Sequence, residues 1–571
     1  MKYISVLMLF LGMQSLLYSQ IYFQDRSSVL GLNLSTGNTY LGNGVSFFDY
    51  NQDGWDDITL ATGADNKVRF FKNVFGSFFE EVLLDAPAYQ TKQINWVDFD
   101  NDGDYDLFVT SDTNGNRLYQ NDGNFNFIDI TETVGLPTQN LFTYGASWGD
   151  YNNDGFLDVF ICNRDEYNLE TPNFLFRNNG DGSFTDVSIE AGIKTTSEMS
   201  FCAAFFDFDN DGFQDIYVSN DKTSFRNTLY KNNGNGTYTD VSEISGTDIG
   251  IDAMSVTIDD FNYDGWMDIY ITNGTEGNVF FHNNGDGTFT DIAESTGTLF
   301  NSIGWGAVFF DAENDTDLDL YVSGNYIPNP IYLSSAFYEN NGQGIFNIPS
   351  NSGLGNDTGE SFSNAIGDFN NDGLSDIVVT NGNNETIFLW QNQTTTANKW
   401  LKVALEGTQS NRDGIGSLIE ISVNGNIQYR YTLCGEGYLS QNSGTEIFGV
   451  GTASTIDYVK VNWLSGIEDI VYNVSPNQKL NIVEGSTLSV NQLNNNFWLN
   501  YNNPVDNTLT LASINEINNI QFYNLLGQEV YRNSKINSRY FEVDLYFLNS
   551  GVYIVVLDFV LLKETIKIVK N

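Results

Sequence analysis

Histidine is almost missing from this 571-residue chain: His282 is the only one. That removes Ser-His-Asp and Cys-His nucleophilic machinery and histidine-ligated zinc from nearly all of it. His282 stands in Phe281-His282-Asn283-Asn284, before a turn, and is expected at the surface. Cysteine is scarce too. Cys162, Cys202 and Cys434 are an odd number, so they close no disulfide framework. Cys162 and Cys202 sit in apolar, strand-like runs, which leaves both buried free thiols and a bridge between them open. Positive charge is the third shortage. Lys and Arg total 25 against 73 Asp and Glu, a formal net charge of −48. Nucleic acid and anionic bilayers would be repelled, so neither is an expected partner. Long apolar runs are missing after the N-terminus, so no transmembrane segment is expected in the mature chain.

The N-terminus itself reads as a signal peptide over residues 1–19. Lys2 supplies a positive start, Ile4 to Leu17 is mostly apolar, and Tyr18-Ser19-Gln20 offers cleavage after Ser19. With 41% hydrophobic and 15% aromatic residues the remainder can bury large cores, so the acids are not those of a disordered tail.

The acids are organised. Asp-x-(Asp/Asn/Glu)-x-Asp-Gly-x-x-Asp recurs seven times, its first positions 49 to 57 residues apart. Positions 1, 3, 5 and 9 are Asp49, Asn51, Asp53 and Asp57 in the first copy and Asp98, Asp100, Asp102 and Asp106 in the second. The third has Asp150, Asn152, Asp154 and Asp158, the fourth Asp207, Asp209, Asp211 and Asp215. The fifth has Asp260, Asn262, Asp264 and Asp268, the sixth Asp311, Glu313, Asp315 and Asp319, the seventh Asp368, Asn370, Asp372 and Asp376. These positions hold 24 of the 73 acids, too many at such spacing to stand together without a cation.

Calcium takes six to eight oxygen ligands in flexible geometry, and alternate residues of a tight loop can turn toward one centre. Positions 1, 3, 5 and 9 would offer side-chain oxygens. Position 7 (Trp55, Asp104, Phe156, Phe213, Trp266, Asp317 and Leu374) would offer its main-chain carbonyl. Glycine at position 6 permits the bend, and the sixth copy has Thr316 there, so that loop is expected to be the weakest and seven ions an upper count. Position 12 of the first loop is Leu60, not the bidentate glutamate of an EF-hand.

β-branched and aromatic runs follow every loop, such as Ile58-Thr59-Leu60 and Val159-Phe160-Ile161. About twenty residues later comes a hairpin module, as in Leu229-Tyr230-Lys231-Asn232-Asn233-Gly234-Asn235-Gly236-Thr237-Tyr238. Four strands per period of about 50 residues predict an all-β fold whose main part is a seven-bladed β-propeller over 20–395. The last repeat stops at Leu389-Trp390-Gln391-Asn392, and Phe23-Gln24-Asp25 is predicted to supply its missing strand. Trp55, Trp96, Trp148, Trp266 and Trp305 recur beside the loops, where blade packing and sugar stacking are both open.

These loops at this period resemble the FG-GAP/VCBS repeats of integrin-type propellers. Residues 396–485 resemble an ASPIC/UnbV domain, as found in proteins like cartilage acidic protein. The carrying residues are Trp400-Leu401-Lys402-Val403, Ser410-Asn411-Arg412-Asp413-Gly414, Gly437-Tyr438-Leu439-Ser440-Gln441-Asn442-Ser443 and Val461-Asn462-Trp463. Period-2 runs at Leu418–Val423 and Val459–Trp463 fit a small β domain. Arg412-Asp413 and Tyr438 to Ser443 read equally as a recognition site and as a structural ion pair and turn. Residues 486–497 are a polar, Asn-rich linker. Residues 498–571 resemble a type A sorting domain of the type IX secretion system, through Asn502-Asn503-Pro504-Val505, Tyr523-Asn524-Leu525-Leu526-Gly527 and Leu548-Asn549-Ser550-Gly551. The resemblance implies partnership with that secretion machinery, outer-membrane export and removal of a domain that alone reads as a C-terminal β-sandwich.

The function expected is a secreted or surface-attached calcium-binding scaffold for glycan or protein ligands, with no catalytic residues. The alternative is a polysaccharide lyase or hydrolase. Against it, no acid pair outside the repeats breaks the pattern.

Overall fold

A computed structural model describes residues 20–487 and 499–571, apart from residue 65 and the segments 85–87, 326–331, 502–503, 525–526 and 560–562. The signal-peptide expectation over 1–19, most of the linker and the Asn502-Asn503 and Leu525-Leu526 steps lie outside these residues. The chain divides into two compact units, up to Ser486 and from Thr487 onward.

In the first unit every repeat folds as an antiparallel four-stranded sheet. The first comprises Val45–Phe48, Asp57–Leu60, Arg69–Asn73 and Phe79–Val82. The acidic loop joins strands one and two, and its ninth position always opens strand two: Asp57, Asp106, Asp158, Asp215, Asp268, Asp319 or Asp376. The seventh sheet is completed from the N-terminus, as the sequence predicts. Phe23–Asp25 pairs with Phe388–Asn392, Phe23 opposite Asn392.

The cores lie between sheets. Phe48, Tyr50 and Phe70 of the first sheet pack on Trp96 and Leu107 of the second. Phe47 and Ile58 of the first also pack on Phe369 and Val378 of the seventh. Each intermediate pair of successive sheets shares a core of the same kind. The succession therefore returns on itself, and repeated four-stranded sheets so arranged are consistent with a β-propeller. This placement leaves few free sheet edges.

Residues 399–486 are not a separate body. Their strands form a three-stranded sheet (Lys399–Glu406, Thr445–Gly451, Gln478–Val483) and a four-stranded sheet (Leu418–Val423, Asn426–Tyr431, Ile456–Asn462, Glu468–Val474), with a core of their own. The segment from Cys434 to Ser443 leaves this body and threads among the first strands of the repeat sheets. Ser440 pairs in parallel with Val45, Cys434 bridges Trp148, and Gly437 bridges Val256. Gln441 accepts from the Trp96 amide and the Ser46 hydroxyl and donates to the Trp96 carbonyl. Tyr438 is fully buried against Trp305 and Phe201, ring centroids 4.9 and 5.6 Å away. The segment plugs the middle of the sheet array, so Tyr438 to Gln441 are buried structural residues, while Asn442 and Ser443 are half-buried beside a cleft.

Three further expectations are settled by burial. Trp96, Trp148 and Trp305 are buried, which selects packing over sugar stacking for them. Trp55 and Trp266 are half-buried against the hairpin glycines Gly76 and Gly285 of their own sheets. Cys162, Cys202 and Cys434 are all buried free thiols. His282 is not a plain surface residue. It is half-buried, with Nδ1 3.0 Å from Asp268 Oδ1.

The second unit is one hydrogen-bonded network of Leu499–Tyr501, Thr508–Tyr523, Glu529–Asp544, Gly551–Phe559 and Lys563–Lys570. Leu509, Ile520, Phe522, Val543 and Val555 form its core.

Candidate metal centres

All seven loops close with the same main-chain bonds. The position-1 carboxylate accepts from the amides of positions 5 and 6: Asp53 and Gly54 reach Asp49 at 3.0 and 2.8 Å, and Asp315 and Thr316 reach Asp311 at 3.0 and 2.8 Å. The position-5 carboxylate accepts from the position-7 amide, as Trp55 to Asp53 at 3.2 Å and Leu374 to Asp372 at 2.9 Å.

The turn demands left-handed backbone at position 6. Gly54 has φ +87° and Gly373 +85°, and Thr316 adopts the same conformation at +88°. A β-branched residue there is strained. The surrounding bonds hold it nonetheless, so the sixth loop keeps the shape of the others.

In loops 2, 4 and 6 three acids converge. Oxygens of Asp98, Asp100 and Asp106 lie within 4.8 Å of one another, as do those of Asp207, Asp209 and Asp215 and of Asp311, Glu313 and Asp319. Position 3 is acidic in these three loops and Asn in the other four. Each cluster holds a buried oxygen without a hydrogen-bond partner: Asp106 Oδ2, Asp209 Oδ1 and Glu313 Oε2. Burial, with neighbouring carboxylates, pushes the Asp106 carboxyl up to about 9 and the Asp260 carboxyl up to about 8. An all-oxygen donor set with orphaned carboxylate oxygens fits a hard cation of the calcium type. The sixth loop, expected to be the weakest, is among the three that gather carboxylates most closely.

Two asparagine positions escaped the sequence reading. At position 4 (Asn101, Asn153, Asn210, Asn314 and Asn371, with Gln52 in the first loop) the side-chain amide donates to the position-6 carbonyl of the next loop. Asn101 reaches Gly155, Asn153 Gly212, Asn210 Gly265 and Asn314 Gly373 at 2.9 to 3.0 Å. Gln52 reaches Gly103 at 2.8 Å, and Asn371 reaches Gly54 at 2.9 Å, closing the series from the seventh loop to the first. The step from the fifth loop to the sixth is broken, because Tyr263 stands at position 4.

The second position ends the third strand: Asn73, Asn121, Asn178, Asn232, Asn283, Asn340 and Asn392. Each main-chain amide donates to the position-9 carboxylate at 2.7 or 2.8 Å. Five of the side chains also clamp the position-2 carbonyl of the preceding sheet, as Asn178 does to Phe99 at 2.8 Å. The repeated Asn before the hairpin was the available signal. Asn178→Ala should cost about 2–4 kcal/mol, because the Phe99 and Leu157 carbonyls lose their buried donor. The Asn121 side-chain amide donates to the Tyr105 carbonyl of its own sheet and, among the described residues, reaches no carbonyl of the preceding sheet. Asn121→Ala should therefore cost distinctly less in a urea unfolding series, and equal losses would remove the clamp.

Residues 399–486 pack against several of these loops. Lys402 Nζ lies 2.6 Å from Asp368 Oδ2 and 2.8 Å from Asn371 Oδ1. Arg412 lies 3.8 Å from Asp98 and 3.2 Å from Glu406, and the Asp98 amide donates to half-buried Asp413 at 3.3 Å. Arg412-Asp413 is thus a structural contact to the second loop. Acids outside the repeat positions do collect here, against the sequence expectation. Asp56 accepts from the Asp368 amide and Ser443, and Asp259, Glu436 and Glu446 lie nearby around Arg430. Burial pushes Asp413 up to about 6, Glu446 to about 7 and Glu436 to about 8.

Three family models match. FG-GAP-like repeat matches five overlapping windows between residues 49 and 322, ASPIC and UnbV matches 407–489, and Secretion system C-terminal sorting domain matches 500–571. The chain is an FG-GAP-repeat protein with an ASPIC and UnbV domain and a secretion sorting domain. It is 24% identical to cartilage acidic protein 1 of Xenopus tropicalis over 319 residues, 49% of this chain and 48% of that protein. Against cartilage acidic protein 1 of Homo sapiens it is 24% identical over 339 residues, 52% and 49% of the two chains. The chain thus spans about half the length of these curated relatives. Among solved structures, the extracellular domain of a hybrid two-component system from B. thetaiotaomicron aligns at 12% identity and a TM-score of 0.39, over 97% of this chain and 60% of that one. The sorting domain marks the FG-GAP-repeat protein as a cargo of type IX secretion, extracellular or surface-attached. No helix among the described residues is long and apolar enough to cross a membrane.

Proposed function

We propose that this FG-GAP-repeat protein is a calcium-loaded, seven-bladed propeller scaffold, exported with a β-sandwich sorting domain, that binds glycan or protein ligands at the cell surface and performs no catalysis. The observation that carries this reading is the sevenfold recurrence of one loop geometry, with carboxylates gathered within 4.8 Å of one another in loops 2, 4 and 6. Asp, Asn and Glu of positions 1, 3, 5 and 9 would hold calcium, which would supply charge neutralisation and rigidity to the strand ends. These residues are spread evenly around the array, as a structural role requires.

Residues 399–486 occupy part of the loop-bearing face, and in this reading the ligand face is the other end of the sheets. Tyr40 precedes a first strand and Tyr167 follows a second strand, which puts both at that end, and both are exposed. Loops on a rigid β scaffold are where recognition is normally carried. A glycan and protein array probed with the full chain in calcium buffer is expected to give ligands whose binding Tyr167→Ala weakens.

A second reading is a polysaccharide-active enzyme. It is favoured by a cleft of about 450 Å³ lined by Asp56, Asp413, Glu446, Lys479, Trp96 and Tyr105. Reducing-sugar and unsaturated-product assays on the array hits decide between the two. Turnover lost in Glu446→Gln would replace the scaffold reading.

A further inference from the structure

One repeat position differs in charge from sheet to sheet: the residue just before the clamp asparagine, on the third strand. It is Lys72, Gln120, Arg177, Lys231, His282, Glu339 and Gln391 in sheets one to seven. In three sheets this side chain reaches the loop as a base. Lys72 Nζ lies 3.0 Å from Asp53, Lys231 Nζ contacts Asp209 and lies 2.7 Å from Asp211, and His282 Nδ1 lies 3.0 Å from Asp268. In the seventh loop Lys402 takes that part from outside the repeat, 2.6 Å from Asp368. The first, fourth and seventh loops thus carry a cationic group of their own, and the fifth carries an imidazole.

The sixth loop has the opposite arrangement. Its third strand offers Glu339, half-buried, at the place from which Lys72, Lys231 and His282 reach their own loops. With Asp311, Glu313, Asp315, Asp317 and Asp319 this makes six acids around one turn. Among the described residues no Lys, Arg or His forms an ion pair with any of them. Glu313 is 95% buried, with Oε2 unpartnered, and Asp317 Oδ1 is buried and unpartnered as well.

We propose that Asp311, Glu313, Asp317, Asp319 and Glu339 form a distinct, high-affinity divalent-cation site that fills before the loops carrying their own ammonium group, with Glu339 as a ligand contributed from outside the nine-residue loop. The inference rests on the calcium reading above and deepens it. An ion entering the first or fourth loop must displace Lys72 or Lys231, whereas an ion entering the sixth relieves carboxylate repulsion and meets no ammonium group paired with its carboxylates. Thr316 fits this account, because a strained turn survives where the surrounding contacts fix it.

The test uses the full chain, stripped with chelator and titrated with calcium chloride by calorimetry. Wild type should show about one tight ion ahead of the weaker ones. Glu339→Lys, which copies Lys231, should weaken that tight class on the order of a hundredfold, and Glu339→Gln about tenfold. Lys231→Gln should tighten one of the weak sites. Circular dichroism in calcium checks that each variant folds, and Glu339→Gln serves if Glu339→Lys does not. Folded variants that titrate like wild type would overturn the role of Glu339 and leave the calcium reading standing. A wild type that binds no calcium would overturn both.

Discussion

Removing calcium with a chelator should lower the melting temperature of the secreted protein by about 10–20 °C. A ligand held only by the folded state stabilises it by about 2.7 kcal/mol per site at a hundredfold excess over Kd. Even four or five such sites would sum to about the whole net stability of an ordinary domain. The position-9 carboxylates make the effect large here. Asp57, Asp106 and Asp158 are buried at the start of second strands and accept the amides of Asn73, Asn121 and Asn178. Stripped of a cation, each stands buried beside the other carboxylates of its own loop, next to the inter-sheet cores.

The same groups fix the pH dependence of the stripped protein. Burial pushes Asp57 and Asp106 up to about 9 and Asp98 and Asp260 up to about 8. Carboxyls with folded values above their unfolded ones bind protons more tightly in the folded state. Stability is then fullest below pH 4 to 5, where these carboxyls are protonated in both states, and falls as pH rises toward 8 or 9. The melting temperature in chelator should drop steadily from pH 5 to pH 8, and saturating calcium should flatten or reverse that slope. A melting temperature indifferent to chelator at pH 8 would contradict both statements.

The second large effect concerns export. Deleting residues 498–571 should keep the protein inside the outer membrane, and protein recovered outside the cell should lack everything beyond about residue 495. The boundary between the compact units, Ser486 to Thr487, lies just ahead of that point. The sorting-domain match begins at residue 500. The second unit has its own core around Leu509, Ile520 and Val555, so its removal need not open the first unit. Fractionated cells and mass spectrometry of the released protein provide the check. An intact C-terminus on secreted material, or normal release of the truncated chain, would contradict the assignment.

Much of this molecule could be read from its residues because a repeat writes the same physics seven times. Carboxylates at positions 1, 3, 5 and 9 are visible at any single loop, but only their recurrence separates them from ordinary turn aspartates. The N-terminal strand was legible for the same reason, since Phe23-Gln24-Asp25 matches Phe184-Thr185-Asp186. What stayed hidden depends on contacts between repeats. Asn101 and Asn178 look like turn residues, yet one ties its loop to the next and the other clamps the preceding sheet. Thr316 reads as a defect because sequence records the lost glycine but not the bonds from the Asp315 and Thr316 amides to Asp311 that hold the turn. Tyr438 reads as a motif residue in a small domain, and nothing local says that it is buried in the middle of another. Asp56 and Asp259 are scattered acids in the chain and neighbours of residues 430–446 only in space.

The most direct test of the calcium account is a count of ions bound to the folded, sorted protein. Chelator-stripped protein, back-titrated with calcium and followed by calorimetry alongside metal analysis, should take up several equivalents approaching one per loop and no more than seven. Uptake of no calcium by well-folded protein would contradict it.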